Sequence, residues 1–366
     1  MPRPVLRPAR TGEGAGLPAL PAMLARMEAA PAVVRPSAYW TFLNGLNLDQ
    51  LAESGFAEFK RTINQNYFNF LPAGPGSDQF RAALRLWLAR PTGPVLRARV
   101  QDPGYFEDHT WRDNPFRSLR RRAGYAAFVA MLWEVAARRD SRGLLARLEE
   151  PDLGHPLCVL HRGRRITQDL CNSVLEVMAM LDGLPGGAVG GNGVLELGAG
   201  YGRVAWVFLE AFPDLRYFVV DIPPALAVAQ EYLTRLFPRR PAFRFRPFRR
   251  FEDVRSEMED ARIGFLTPDQ LDLVPPWGAG LFVNISSLHE MRPDQIAHYV
   301  GKVGEHTAGF FYTKQWERSV NAYDRVVIRR EDYPIPAHWE TVFLRPHPVQ
   351  TLFFEALYRV RPAPRA

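Results

Sequence analysis

Residues 194–203 constrain the fold more than any other stretch, because there an apolar run leads into three glycines at alternate positions. Glycine adopts backbone dihedrals that are closed to other residues and lets a ligand approach the main chain. A helix that follows such a turn presents unpaired N–H groups and a partial positive charge. The stretch therefore predicts a strand, a turn that binds a nucleotide-type ligand, and a helix.

The composition is that of a globular protein. The chain has 366 residues, of which 47% are hydrophobic and 23% charged, so it is long enough for one large or two medium domains. The net charge of +7 comes from arginines interspersed with acidic residues, without a lysine-rich tail. We interpret this charge as a contribution to solubility and predict no nucleic-acid partner.

Cysteine and apolar patterns exclude several other classes. The two cysteines, Cys158 and Cys171, form no CxxC pair, which argues against a disulfide framework and a structural zinc site. The histidines show no metal-binding spacing, so no metal is predicted. There is no signal-peptide core and no run near the roughly 20 apolar residues that span a bilayer. We expect a cytoplasmic protein without a membrane partner, and the oligomeric state stays open.

Three regions differ in composition. Residues 1–36 are rich in Pro, Arg, Ala and Gly, which predicts a flexible arm. Residues 37–160 carry aromatic residues at helical spacing, which predicts a mainly helical domain that covers the substrate. Residues 161–362 are expected to form the cofactor-binding domain, whose first helix has Thr167 as its N-cap.

In the third region, strands alternate with helical segments. The strands are expected at 194–197, 217–220, 262–266, 281–285, 309–313, 342–345 and 352–360. This alternation predicts an α/β fold with a mostly parallel sheet of seven strands. Because the last two strands lie close together in the sequence, we expect them to form an antiparallel hairpin at the C-terminal edge.

The glycine turn fits two classes of cofactor. A turn after a strand, followed about 20 residues later by an acid, outlines a dinucleotide site as well as an S-adenosylmethionine (SAM) site. Two details favour SAM: the third glycine, Gly202, gives GxGxG in place of GxGxxG, and Glu196 stands just before the turn. Asp221 is expected to accept hydrogen bonds from the ribose, with capping of the next helix as the alternative.

Each group of predicted cofactor residues is assigned to one part of the cofactor. Gly198 and Gly200 would approach its methionine part, Glu196 would orient the ammonium, and Thr267 and Gln270 would meet the adenine. The full predicted set is Glu196, Gly198, Ala199, Gly200, Tyr201, Gly202, Asp221, Ile222, Thr267, Gln270 and Asn284.

A His-Glu pair is the catalytic candidate. His289 and Glu290 follow the expected strand 281–285, and ligands of an open parallel sheet lie beyond the carboxyl ends of its strands. His289 is predicted to be the general base that removes the proton of an acceptor hydroxyl, a role that contributes about 10²- to 10⁴-fold. Glu290 would orient the imidazole or face solvent.

Two groups of residues are candidate contacts of the acceptor. Asn64, Asn66 and Tyr67 place amides and a ring where hydroxyls could be bound, although such amides more often satisfy backbone groups. Lys314 and Trp316 follow the strand expected at 309–313, at the edge of the cleft. A core or surface role is the alternative for each.

Several motifs together resemble a family of bacterial proteins assigned as sugar O-methyltransferases. They lie at 62–72, 167–170, 196–203, 220–225, 284–291, 312–316 and 332–336. The resemblance covers about residues 40 to 358. It implies a class I SAM-dependent methyltransferase fold, Rossmann-like, and a sugar hydroxyl as acceptor. His289 is placed like the histidine base of many small-molecule O-methyltransferases, whose usual His-Asp-Trp is His-Glu-Met here.

The sequence thus predicts a SAM-dependent O-methyltransferase that modifies a sugar, a glycan or another hydroxylated natural product. Two alternatives stay open. One is an oxidoreductase that depends on NAD or FAD, and the other is a scaffold that binds SAM without catalysis.

Overall fold

The computed structural model of the chain describes residues 16–66, 74–91, 93–101 and 118–362. Its helices are α1 (Leu20–Ala29), α2 (Ala38–Ser54), α3 (Asp78–Leu88), α4 (Leu119–Arg139), α5 (Leu144–Arg147), α6 (Gln168–Gly183), α7 (Arg203–Ala211), α8 (Ala225–Leu236), α9 (Arg255–Asp260), α10 (Pro268–Leu271) and α11 (Pro293–His306). Within these ranges, none of the helices combines the length and the apolar character that crossing a bilayer requires.

The strands are β1 (Arg99–Val100), β2 (Val159–His161), β3 (Arg164–Ile166), β4 (Val194–Leu197), β5 (Tyr217–Val220), β6 (Ala242–Phe243), β7 (Ile263–Leu266), β8 (Ala279–Ile285), β9 (Thr307–Trp316), β10 (Arg318–Asn321), β11 (Val326–Arg329), β12 (Glu340–Pro346) and β13 (Phe353–Arg359). Strands β1 to β3 form a small sheet, and β10 pairs with β11.

The central sheet has eight strands in the order β12-β13-β9-β8-β4-β5-β7-β6. All neighbours from β6 to β9 are parallel, whereas β13 is antiparallel to both β9 and β12. The fold is therefore an α/β fold with a mixed sheet, and the C-terminal hairpin is confirmed. The expected count of seven strands is wrong, because β6 adds an edge strand that at two residues is too short for a periodic pattern.

Burial explains why the parallel strands were readable in the sequence. Every residue of β4, β5 and β7 is buried, as expected for parallel strands that are covered on both faces. Such strands appear as continuous apolar runs, and the predicted bounds of β4 and β5 are confirmed. Thr167 caps α6, since its side chain accepts a hydrogen bond from the Leu170 N–H at 3.0 Å.

The described part of the expected flexible arm is ordered instead. In α1, Leu20, Met23 and Met27 are buried, and the Arg26 guanidinium pairs with Asp269 at 2.6 Å. Pro21 occupies the first turn of the helix, where proline costs little. The proline-rich composition therefore accompanies the ends of a short helix here. The division of the chain into three regions remains a prediction.

The core continues from the N-terminal helices into the sheet. Phe128 of α4, Val177 of α6 and Val207 of α7 belong to one buried apolar cluster that also contains Leu281 of β8. This packing fixes the first turn of α6 close to the glycine turn after β4. Two regions that are far apart in the sequence thus meet at one edge of the sheet.

Candidate active site

A cavity of about 920 Å³ opens at the carboxyl ends of β4, β5 and β8. Strand order reverses at β4, which is where ligands of open α/β sheets bind. The predicted cofactor residues that line it are Glu196, Gly198, Ala199, Gly200, Tyr201, Asp221 and Ile222. The structure therefore brings most of the predicted set to one wall.

The glycine turn needs glycine for two different reasons. Gly198, Gly200 and Gly202 have φ angles of +73°, +61° and +86°, which side chains rarely allow. A Cβ atom on Gly198 would also lie 2.2 Å from Ser287 Oγ. A Cβ atom on Gly202 would lie 2.9 Å from Leu233, so the third glycine serves helix packing and does not line the cavity.

Asp221 holds the glycine turn. One carboxylate oxygen accepts a hydrogen bond from the Gly200 N–H at 2.8 Å, and the other accepts from the Ile222 N–H at 2.7 Å. Helix α8 begins after Pro224, so Asp221 does not cap it. Burial raises the pKa of Asp221 to about 7, although the two N–H groups oppose this.

Two side chains of opposite charge, Glu196 and Arg203, line the cavity. Glu196 accepts a hydrogen bond from the Tyr217 hydroxyl at 2.7 Å, and burial raises its pKa to about 7. Arg203, which sequence reasoning missed, lines the same cavity and pairs with buried Glu176 at 2.5 Å. Lys314 also pairs with Glu176, at 2.6 Å, so two cations share one carboxylate. The signal for Arg203 was its place directly after the third glycine.

Ser286 is another polar residue on the cavity wall. Its φ of +56° is uncommon for a residue other than glycine. Its Oγ atom is buried and has no hydrogen-bond partner within the described ranges. Strained backbone and an unpaired polar atom both occur preferentially where a ligand binds.

Three predicted cofactor residues instead support the surrounding structure. Thr267 and Gln270 form a capping pair at α10, in which Gln270 Oε1 accepts from the Thr267 N–H at 3.0 Å. Asn284 donates to the Leu197 carbonyl at 2.9 Å and thereby ties β8 to β4. None of the three is among the lining residues, whereas Pro268 is. Their side chains are already hydrogen-bonded within the protein, in part to residues far away in the sequence, and the sequence pattern did not reveal these partners.

The catalytic pair is arranged differently from the prediction. Glu290 lines the cavity, but His289 is fully buried behind it, stacked on Trp316 with ring centroids 5.2 Å apart. Gln315 Oε1 lies 3.0 Å from His289 Nδ1, and His289 Nε2 lies 3.6 Å from Glu290 Oε1. Burial lowers the pKa of His289 to about 3. The general-base prediction required His289 to lie on the cavity wall. In the structure His289 lies behind that wall instead.

An N-terminal strap, residues 33–40, closes the outer side of the cavity. Val34, Arg35, Pro36, Ser37 and Trp40 line it. The Ser37 hydroxyl donates to the Glu290 carbonyl at 3.3 Å, which fixes the strap to the loop after β8.

The residues predicted to contact the acceptor lie in different parts of the structure and do not meet at one site. Lys314 is buried and bound to Glu176 and Gln350, and Trp316 packs on His289, so neither lines the cavity. Asn66 donates to Asn47 and Gln50, both at 2.7 Å. Asn64 lines a second, smaller cavity beside Asp169. Tyr67 lies outside the described residues.

No metal site is evident in the part of the chain that the structure describes. There, groups of three or more His, Cys, Asp or Glu side chains close enough to hold an ion are not found.

Comparisons with known proteins add a likeness of fold. The sequence matches no protein-family model, and no curated protein matches it. Solved structures do match. The pyocyanin biosynthetic protein PhzM is 14% identical, with a TM-score of 0.37, over 65% of this chain and 72% of its own. Mitomycin 7-O-methyltransferase MmcR is 15% identical, with a TM-score of 0.34, over 52% of this chain and 56% of its own.

A third structure is 1,6-didemethyltoxoflavin-N1-methyltransferase from Burkholderia thailandensis, which contains S-adenosylhomocysteine. It is 16% identical, with a TM-score of 0.35, over 52% of this chain and 78% of its own.

Proposed function

We propose that the chain is a SAM-dependent O-methyltransferase that moves a methyl group to a hydroxyl of a sugar or a sugar-containing metabolite. One observation carries the proposal: the glycine turn and Asp221 face one cavity at the point where the strand order reverses, in a sheet that ends in an antiparallel hairpin. Dinucleotide-binding sheets of the doubly wound type have six strands in the order 3-2-1-4-5-6. Here antiparallel β13 takes the place next to β9, which favours SAM over NAD or FAD.

The charges on the cavity wall suit a ligand with an amino-acid end. Glu196 is available for an ammonium, and Arg203, which shares Glu176 with Lys314, is available for a carboxylate. Asp221 is placed for ribose hydroxyls and Ser286 offers an unpaired hydroxyl. When bound, SAM supplies a methyl group made electrophilic by the positive charge on sulfur. The chain has only to position an acceptor oxygen and remove its proton.

Glu290 is the residue that we assign to proton removal. An alcohol keeps its proton at neutral pH, so a base near the reacting oxygen accelerates the transfer. Glu290 reaches the cavity, whereas His289 lies behind it and binds protons weakly, since its pKa is about 3. We therefore assign His289 a positioning role behind Glu290, in contact with Trp316 and Gln315. The choice of a sugar as the acceptor rests on the family resemblance. We also propose that the protein is located in the cytoplasm.

Titration calorimetry tests the cofactor assignment. SAM and S-adenosylhomocysteine are expected to bind with micromolar affinity, and NAD much more weakly. Tighter binding of NAD would refute the proposal in favour of an oxidoreductase. Binding of SAM without methyl transfer to any hydroxylated compound would favour the scaffold alternative.

A further inference from the structure

Three charged side chains meet behind the wall of the cofactor cavity. Glu176 of α6, Arg203 of α7 and Lys314 of β9 are all buried. The Arg203 guanidinium donates to both oxygens of Glu176, at 2.5 and 3.2 Å, and the Lys314 ammonium donates to one of them at 2.6 Å. Arg203 lines the cavity, whereas Glu176 and Lys314 lie behind it. Two cations thus share one carboxylate, and one of the two can reach a ligand.

The contacts within this cluster favour the ionised form of each group. Burial alone would raise the pKa of Glu176, but Arg203 and Lys314 outweigh it and hold that pKa below its usual value. Burial lowers the pKa of Lys314, and Glu176 opposes this shift. Lys314 donates to Glu176 and to the Gln350 amide oxygen, and two acceptors suit an ammonium, which has only donors. The cluster therefore carries one more positive charge than negative charge.

Two titratable groups near Lys314 do not balance this charge. Glu355, which stands opposite Lys314 in the sheet, accepts from Tyr312 at 3.0 Å and from Arg345 at 2.7 Å, so its charge is already paired. The His347 imidazole accepts a hydrogen bond from a backbone N–H at 2.9 Å. Burial and the nearby cations hold the pKa of His347 well below its usual value, so it stays neutral.

Two carboxyl groups near Arg203 also leave part of its charge available. Within the described ranges neither Asp169 nor Glu196 forms an ion pair with Arg203, and burial raises the pKa of both, that of Glu196 to about 7. Of the five N–H groups of Arg203, three donate to Glu176 and Ser173, so two remain for a ligand. Because a buried charge without a counterion is costly, this part of the wall favours an anion.

We propose that Lys314 is a positioning residue for the cofactor: by sharing Glu176, it leaves Arg203 with a charge that binds the carboxylate at the amino-acid end of SAM. Without Lys314, Glu176 would neutralise Arg203 one to one, and the ligand carboxylate would meet a neutral ion pair. Lys314 acts through Glu176 and Arg203 and does not touch the cofactor. The inference rests on the proposed function, because it names the residue that makes the cofactor site selective for a carboxylate.

The test compares two ligands by titration calorimetry at pH 7. One is S-adenosylhomocysteine, and the other is 5′-S-(3-aminopropyl)-5′-thioadenosine, which lacks only the carboxylate. Wild type should bind S-adenosylhomocysteine at least about tenfold more tightly, since the carboxylate pairs with a buried guanidinium. Lys314→Met should abolish most of this preference by weakening S-adenosylhomocysteine, while the affinity for the aminopropyl compound should not fall. The control is Lys302→Met, which removes a lysine paired with Asp272 at 3.0 Å and should keep the preference.

A double variant separates charge from packing. Glu176→Gln combined with Lys314→Met removes one negative and one positive charge, so Arg203 again carries an unbalanced charge. The preference for the carboxylate should therefore return to within about threefold of the wild-type value. A purely structural role of Lys314 predicts the opposite, because a second buried substitution beside the first would add to the damage.

Three results would overturn the role of Lys314: wild type binds both ligands equally, Lys314→Met keeps the preference, or the double variant lacks it. If Lys314→Met does not fold, the double variant decides the question by itself. Equal binding of the two ligands to wild type would leave the cofactor assignment intact. Binding of NAD and of neither ligand would instead refute the proposed function, and the inference with it.

Discussion

The indole N–H of Trp40 donates a hydrogen bond to the Glu290 carboxylate at 2.8 Å, across 250 positions of the chain. The contact links the N-terminal strap to the loop after β8. Asp324 adds to it by accepting from the backbone N–H groups of Ala38 and Tyr39, at 2.8 and 3.1 Å. The outer wall of the cofactor cavity is thus held by groups from the C-terminal half.

Trp40→Phe removes the indole donor while keeping an aromatic ring. A hydrogen bond to a charged group contributes about 1.5–3 kcal/mol, so the strap should open at least about ten times more often. Hydrogen exchange of the backbone amides at 33–41 is expected to accelerate at least about tenfold, and SAM should slow it again. Trp87→Phe, a distant change of the same kind, should leave these amides unchanged; equal effects of both variants would contradict the strap contact.

Glu290→Gln removes the proposed base and keeps the shape of the side chain. The rate of methyl transfer from radiolabelled SAM to the glycoside that wild type accepts should fall about 10²- to 10⁴-fold. The affinity for SAM in calorimetry should change little. A rate within threefold of wild type would exclude Glu290 as the base.

The pH dependence of kcat distinguishes His289 from Glu290. Because the pKa of His289 is about 3, its imidazole stays neutral between pH 5 and 8 and should produce no inflection there. His289→Asn is expected to slow the reaction through loss of packing, without changing the shape of the profile. If an inflection near pH 6.5 disappears in this variant, His289 is the base after all.

Asp221→Asn tests the pKa of about 7 for the Asp221 carboxyl. A carboxyl whose pKa is raised on folding stabilises the folded state most at low pH, and that contribution is lost as pH rises through about 7. The difference in unfolding free energy between the variant and wild type should therefore shift by about 2 kcal/mol in favour of the variant as the pH rises from 5 to 8. Urea unfolding at both pH values measures this, with exposed Asp260→Asn as the control, for which no change is expected.

Gly198→Ala combines an unfavourable dihedral with a clash against Ser287. We expect a loss of about 1–3 kcal/mol in stability and no measurable binding of SAM. The control is Gly301→Ala in α11, where no atom lies within 4 Å of the added Cβ and where alanine favours the helix. It should raise Tm slightly; retained SAM affinity in Gly198→Ala would show that the turn does not approach the cofactor.

The sequence predicted the parts of the fold that depend on local rules. Strands β4 and β5 were readable because they are buried on both faces, and the glycine turn was readable because only glycine fits its dihedrals. Asp221 followed from its place at the end of β5. Each of these rests on residues within one element.

Side-chain partners from distant elements could not be predicted. Lys314 was expected at the acceptor, but it is bound to Glu176, 138 positions away. His289 and Glu290 are neighbours and both are buried, but only Glu290 lines the cavity, because His289 is stacked on Trp316 behind it. Arg203, to which no role was assigned beforehand, lies within the motif at 196–203, and only the cavity that it lines shows what it can bind.

The strap also sets an order of events during synthesis of the protein. Residues 33–40 leave the ribosome long before their partners Glu290 and Asp324, since Glu290 follows Trp40 by 250 positions and Asp324 follows Ala38 by 286. Until both partners have emerged the strap has no surface to close upon, and we expect proteases to cut it readily in nascent chains that have not yet exposed them and slowly in chains that have.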